Sequence, residues 1–241
     1  MAADHGSELH LLRFMGRHRN NLEKAIKETI NKDTQAIVDS IEWMDFHFNG
    51  IEPPWDTEWK GVDFLEDRGG LKWKEFWPDP NPGEVERQGQ PSWDAIGKIQ
   101  MNNRDEWLLI EAKAHLNELA SISYACRAKE KSLPKIKSAL LETYESFTPP
   151  GRPAWEKVEK AWLVPCYQKA NRLACLHFLN KQNIPARLIY IYFVGDIFPD
   201  SPQNRQEWEE TINNLCNDMG LPRHLDRVHE LFLNVKHGES I

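Results

Sequence analysis

Apolar side chains at Leu12, Met15, Leu22, Ile26 and Ile30 recur near helical spacing between Leu11 and about Lys32, which predicts an amphipathic helix. From Ser40 to Phe48 both alternating sets are apolar-rich, so strand and helix stay open until Asn49-Gly50 ends the run as a turn. Thr57 can cap a short helix over Glu58 to Asp67, closed by Gly69-Gly70. Residues 78–91 contain Pro78, Pro80, Pro82, Gly83, Gly89 and Pro91 and read as a long loop, a kind that compact domains keep for function or motion.

Past the loop the periodicity changes. Trp93 to Gln100 and Trp107 to His115 read as two strands joined by an Asn102-Asn103 turn. Helical patterns follow over Leu116 to Glu130, Pro134 to Phe147 and Glu156 to Gln182, with a break at Pro149-Pro150-Gly151. Arg187 to Gly195 is a continuous apolar run, as expected of a strand buried on both faces. A helix over Asn204 to Met219 and a strand from His229 to Val235 complete the chain. This order predicts a mixed α/β domain, one central sheet with helices on its faces. There is no internal repeat and no separating linker, so the expectation is one domain over residues 51–241 preceded by a helical elaboration over 1–50.

Composition narrows the classes. In 241 residues, 40% apolar and 28% charged content excludes wholesale disorder and low-complexity architectures. Seven of the ten tryptophans lie between Trp43 and Trp107, which points to aromatic packing of a loop-rich half of the core. The longest stretch without Lys, Arg, Asp or Glu is eight residues (Leu188 to Gly195 is one), against roughly 20 for a spanning helix. No secretory signal is legible. Cys126, Cys166, Cys175 and Cys216 form no C-x-x-C pair, so reduced thiols in the cytoplasm are expected. The formal net charge of −7 speaks against a generally basic nucleic-acid coat, yet residues 111–190 sum to +6, room for local phosphate neutralisation.

The chemistry concentrates between Pro91 and His115. Strand alternation places Leu109, Glu111, Lys113 and His115 on one face and Leu108, Ile110, Ala112 and Ala114 on the other. An acid and an amine thus project from the end of an apolar strand, where burying charge without purpose is costly. Asp94 opens the preceding strand, and a hairpin would bring its carboxylate near that of Glu111. Two hard oxygen donors suit Mg²⁺ or Mn²⁺, and Lys113 could hold or deprotonate a water and stabilise phosphate charge. The alternative is a surface ion pair worth under about 1 kcal/mol. The acid-x-Lys spacing alone is weak, since Glu58-x-Lys60 has it too. No phosphate-binding G-x-x-x-x-G-K-[ST] loop, dinucleotide fingerprint or G-x-S-x-G elbow occurs, and the histidines lack metal-ligand spacing.

The Asp94…Glu111-x-Lys113 arrangement resembles the PD-(D/E)xK nuclease superfamily. LKWKEFWP, PSWDAIG, EWLLIEAKAHLNEL, CYQKANRLACLHFLN and ARLIYIYFVGD are similar to an uncharacterised bacterial branch of it, over about Glu58 to Asp196. The resemblance implies a restriction-endonuclease-like mixed sheet flanked by helices and a metal-dependent nuclease acting on DNA, in preference to RNA. By the same resemblance Asp94, Glu111 and the Ala112 carbonyl would bind one or two Mg²⁺ (or Mn²⁺), Lys113 would orient the attacking water, and the products would carry a 5′-phosphate and a 3′-hydroxyl. Trp93 stands where the superfamily's name has proline, and the 78–91 loop is longer than the branch leads one to expect.

Superfamily members often carry a further acid on the preceding helix. Glu58 is the candidate, with Glu23 and Glu28 behind it, against a plain role at a helix N-terminus. Glu118 could support His115 or Lys113. Gln168, Asn171, Arg172 and Cys175 share one helical stripe, so the first three, with His115, are candidate substrate contacts or simply a hydrogen-bonded helix face. A competing expectation is a nuclease-like scaffold that no longer cleaves and only binds nucleic acid or protein. A hydrolase acting on a small phosphorylated substrate is a weaker third.

Overall fold

The computed structural model describes residues 6–44, 47–48, 56–65, 70–78, 90–198, 200–236 and 239–240. In chain order these form α1 (Ser7–Arg17), α2 (Arg19–Thr34), β1 (Val38–Trp43), β2 (His47–Phe48), β3 (Asp56–Thr57), β4 (Trp59–Lys60), α3 (Trp73–Phe76), β5 (Ser92–Trp93), β6 (Ala95–Met101) and β7 (Arg104–Lys113). Two 3-10 turns follow, Leu116–Glu118 and Ile122–Tyr124. The remainder is α4 (Leu133–Phe147), α5 (Trp155–Leu163), α6 (Tyr167–Lys181), β8 (Ala186–Val194), α7 (Arg205–Asp218), β9 (Val228–Asn234) and β10 (Glu239–Ser240).

The central sheet runs β1-β6-β7-β8-β9-β10. Its first three strands are antiparallel neighbours, β8 and β9 run parallel to β7, and β10 is a short antiparallel edge. The chain is therefore a mixed α/β protein with helices on both faces of one mixed sheet. Alternation on β7 divides two cores. Leu109 joins Tyr190, Tyr192 and Phe232 beneath α4 to α7, while Leu108, Ile110, Ala112 and Ala114 join Ile189, Ile191 and Leu231 beneath α1 and α2. All nine residues of β8 are buried, as its apolar run predicts. The N-terminal segment covers one face through α1 and α2 and supplies the edge strand β1.

Four element expectations are corrected. The Leu11–Lys32 helix is two helices, separated at His18 (φ −121°, ψ 26°) just after Gly16, a poor helix former. The Glu58–Asp67 helix does not form. Trp59 and Lys60 pair instead with Trp93 and Ser92, and Gly61 turns the chain with φ +55° (residues 66–69 lie outside the described residues). Over Leu116 to Glu130 the Glu118 carboxylate accepts from the Ala114 and His115 N–H groups and Ser121 caps the second turn, so local side-chain bonds replace an α-helix. The Glu156–Gln182 helix is split at Val164 (φ −113°, ψ −84°), because Pro165 bars the residue before it from helical geometry.

Within the tryptophan-rich stretch, Trp73, Trp77 and Trp93 are buried in the core below α4 to α7, and Trp59 and Trp107 pack against it. Trp43 packs on the other core. Trp55 and residues 79–89 of the expected loop lie outside the described residues. Among the described residues no helix is long and apolar enough to cross a membrane. The four cysteines are free thiols.

Candidate active site

Asp94 sits in the step between β5 and β6. The register pairs Ala95 with Ile110, so Asp94 falls opposite Glu111 on the same face. Its N–H donates to the Ile110 carbonyl (3.1 Å), and its Oδ2 accepts from the Ala112 N–H (2.6 Å). The neighbouring Trp93 anchors this step. It is fully buried, its indole N–H donates to the Gly61 carbonyl (2.9 Å), and the Arg172 guanidinium lies over its ring at 5.7 Å. At Gly61 the φ of +55° disfavours any side chain, and an added Cβ would displace the Gln90 amide oxygen, which would lie 2.7 Å away.

The charged heads meet between β7 and α6. Lys113 Nζ lies 2.6 Å from Glu111 Oε1 and donates to Gln168 Oε1 at 3.0 Å. Arg172 Nε donates to Glu111 Oε2 at 2.8 Å, and its Nη1 donates to Asn171 Oδ1 at 2.8 Å. Glu111 is 1% exposed and Lys113 6%, which overturns the surface-ion-pair alternative. Asp94 and Gln168 are half-buried, whereas Glu111, Lys113, Asn171 and Arg172 are buried.

Burial drives these groups apart in acidity. Asp94 is pushed from 3.8 up to about 7 by desolvation and by the Glu111 charge, against the pull of Lys113, the Ala112 N–H and Arg172. Burial also pushes Glu111 upward, but Arg172 and Lys113 outweigh it and hold its carboxylate below the usual value. Lys113 and Arg172 lose to burial less than they gain from Glu111 and Asp94, so both are raised and stay protonated at neutral pH. The site is thus an ionised Glu111 clasped by two cations, beside a carboxyl that titrates near neutrality.

Among the described residues no group of three or more His, Cys, Asp or Glu side chains could hold a metal ion. A divalent ion here would rest on Asp94 and Glu111 with backbone and water oxygens. That donor set fits Mg²⁺, which commonly takes one or two carboxylates and completes its shell with water and phosphate. Each Glu111 oxygen accepts one cationic donor and retains a further lone pair, and the raised Asp94 marks negative charge that a dication would relieve.

The other sequence candidates divide. Gln168, Asn171 and Arg172 reach the cluster, though in this structure they bind Lys113, Arg172 and Glu111. Cys175 on the same stripe reaches back to the Gly61 carbonyl at 3.6 Å. Glu58 is exposed, one register step beyond the Trp59–Trp93 pair, and begins no helix. His115 is turned away to Ser201 (Nδ1 to Oγ, 2.9 Å) and Phe198. Glu118 closes the turn after β7, accepts from the His115 N–H and the Ser7 hydroxyl, and adds its charge to those that raise Lys113. Glu23 accepts from the Trp43 indole, and Glu28 forms an exposed pair with Lys24. Sequence reasoning missed that Arg172 neutralises Glu111 and that Trp93 seats Asp94. The available signal was an arginine on the Gln168, Asn171, Cys175 stripe, flanked by the apolar Ala170, Leu173, Ala174 and Leu176. Comparison of the chain with protein-family models, with curated proteins and with solved structures finds no match.

Proposed function

We propose that this protein is a metal-dependent phosphodiesterase of the PD-(D/E)xK type with a restriction-endonuclease-like fold, cleaving DNA in preference to RNA. The observation that carries the reading is the gathering of Asp94, Glu111 and Lys113 at adjacent strand ends on one face of a mixed sheet. Asp94 and Glu111 would hold Mg²⁺, with the Ala112 carbonyl as a further oxygen donor; when bound, the ion supplies charge neutralisation on the phosphate and acidifies water.

The chain's own residues divide the remaining work. Two of the three Lys113 protons are committed, to Glu111 and to Gln168, and the third is available to a water or a phosphate oxygen. Its raised pKa makes Lys113 a donor that orients the water and stabilises charge, not a base. Arg172 keeps Glu111 ionised and fixes its plane. Attack of water forms one P–O bond as the P–O3′ bond breaks, leaving a 5′-phosphate and, after protonation, a 3′-hydroxyl.

Incubation of purified protein with Mg²⁺ or Mn²⁺ and single- or double-stranded DNA or RNA tests this. Cleavage should vanish on chelation and fall by about 10²-fold or more in Lys113→Ala, the scale for losing one charge-stabilising donor. No cleavage of any of the four substrates sinks the enzyme reading. A second reading, an inert nuclease-like module that binds nucleic acid or protein, is favoured by one observation: Arg172 and Lys113 already neutralise Glu111 without a metal. The two part on metal titration, since only the enzyme should show divalent-ion binding that Asp94→Asn and Glu111→Gln abolish.

A further inference from the structure

A cavity of about 670 Å³ opens beside the part of β9 that β10 leaves unpaired, walled by α2, by α7 and by Lys169 of α6. That volume lies within the ~300–1,000 Å³ of small-molecule sites. Its acids are all engaged. Glu209 pairs with Arg205, Glu230 with Arg223 and Glu28 more loosely with Lys24, while Asp33 accepts a hydrogen bond from His229, whose burial lowers its pKa.

The cations are not all matched. Lys169 is 6% exposed, yet no carboxylate among the described residues lies within 4.0 Å of it. Its Nζ sits 4.6 Å over the Tyr190 ring, a face that attracts a cation without neutralising it. Lys32, on the rim, is exposed and likewise has no ion pair among the described residues. A largely buried lysine without a carboxylate partner, lining a cavity of this size, favours a counter-charge there. Phe232, whose ring carries the Arg205 guanidinium at 4.6 Å, together with Leu225, supplies apolar wall beyond what an inorganic ion would use.

We propose that this cavity binds a small organic oxyanion, a phosphate- or carboxylate-bearing molecule whose charged head meets Lys169 and whose body lies along Phe232. The site is separate from the Asp94 cluster. Glu111, Tyr190 and Glu230 are successive register partners: Lys169 lies over Tyr190, one strand spacing from Glu111, and Glu230 lines the cavity one spacing further, about 10 Å from Glu111. Lys169 also adjoins Gln168, the acceptor for Lys113, so occupancy here would act on the same turn of α6.

Calorimetric titration of the full chain at constant ionic strength, with inorganic phosphate, acetate and adenosine 5′-monophosphate as probes, tests the assignment. At least one probe should bind saturably at one site. Tighter binding of the nucleotide than of phosphate indicates that the apolar wall is used, and acetate competing with phosphate indicates the shared oxyanion chemistry. Lys169→Met, close to isosteric, should weaken binding at least tenfold, and Lys169→Arg should retain most of it. Should Lys169→Met fail to fold, Lys32→Gln on the rim should weaken binding several-fold. Asp94→Asn should leave binding unchanged, which separates this site from the proposed nuclease centre. Absence of saturable binding for all three probes overturns the proposal, as does binding that survives Lys169→Met or disappears in Asp94→Asn.

Discussion

Asp94 and Glu111 are carboxylates on facing strand positions, and their surroundings drive them in opposite directions. Glu111 has a cation on each oxygen and stays ionised, while Asp94 has a backbone N–H and a neighbouring negative charge. A carboxyl whose folded pKa is raised adds stability below its unfolded value, and that stability is lost as pH rises through the folded one. For Asp94 the window runs from 3.8 to about 7. Asp94→Asn should therefore behave like the wild type near pH 4 and be more stable at pH 8, by about 2 kcal/mol once the full shift at ~1.4 kcal/mol per unit is discounted for partial exposure. Denaturant melts of both proteins at the two pH values measure the difference. Equal stabilities at pH 8 would refute the raised pKa. Both acids were legible in the sequence from alternation and the hairpin, but the split in their acidity was not, because it depends on Arg172, 61 positions away from Glu111.

At the scale of elements, β7 supplies the acid and the lysine, and α6 supplies the groups that hold them. Arg172→Met should remove one cation from a buried carboxylate and cost about 3–5 kcal/mol, the scale for breaking a buried pair from one side. Adding Glu111→Gln should recover much of that loss, and thermal or denaturant melts of the two single variants and the double variant would read it. Full additivity would mean that the pair is not coupled. The strands β6, β7, β8 and β9 were legible because period-two alternation and a fully apolar run have few alternative uses. Helix α6 was legible as helix but not as to where it begins. Pro165 sits inside a run of helical periodicity, and the break it forces turns Gln168 and Arg172 toward β7. The short helix at Glu58 was misread because Thr57 resembles a cap and Gly69-Gly70 a stop, whereas pairing of Trp59 with Trp93 is a contact distant in sequence.

Across the whole molecule, one sheet separates two cores, and the side opposite the candidate site is sealed by the N-terminal helices. Leu11, Phe14, Leu22, Ile26 and Ile30 are all buried there, and His229 reaches Asp33 of α2 at 2.7 Å. Five large apolar side chains at about 1.5–3 kcal/mol each approach the 5–15 kcal/mol that holds a whole domain together. Deletion of residues 1–34 should abolish cooperative thermal unfolding and expose dye-binding apolar surface; an unchanged melt would show that the face is dispensable. The amino-acid sequence by itself determined the mixed α/β class, the strand alternation and the pairing of Asp94 with Glu111 on one face, since these follow from local periodicity and one hairpin. The tertiary structure alone decided that Glu111 is clasped by Arg172 and Lys113, that His115 and Glu118 turn to structural bonds, and that Lys169 faces a cavity without a counter-charge. Those outcomes depend on how α6 is set against the sheet, and packing between segments distant in the chain leaves no local periodic mark.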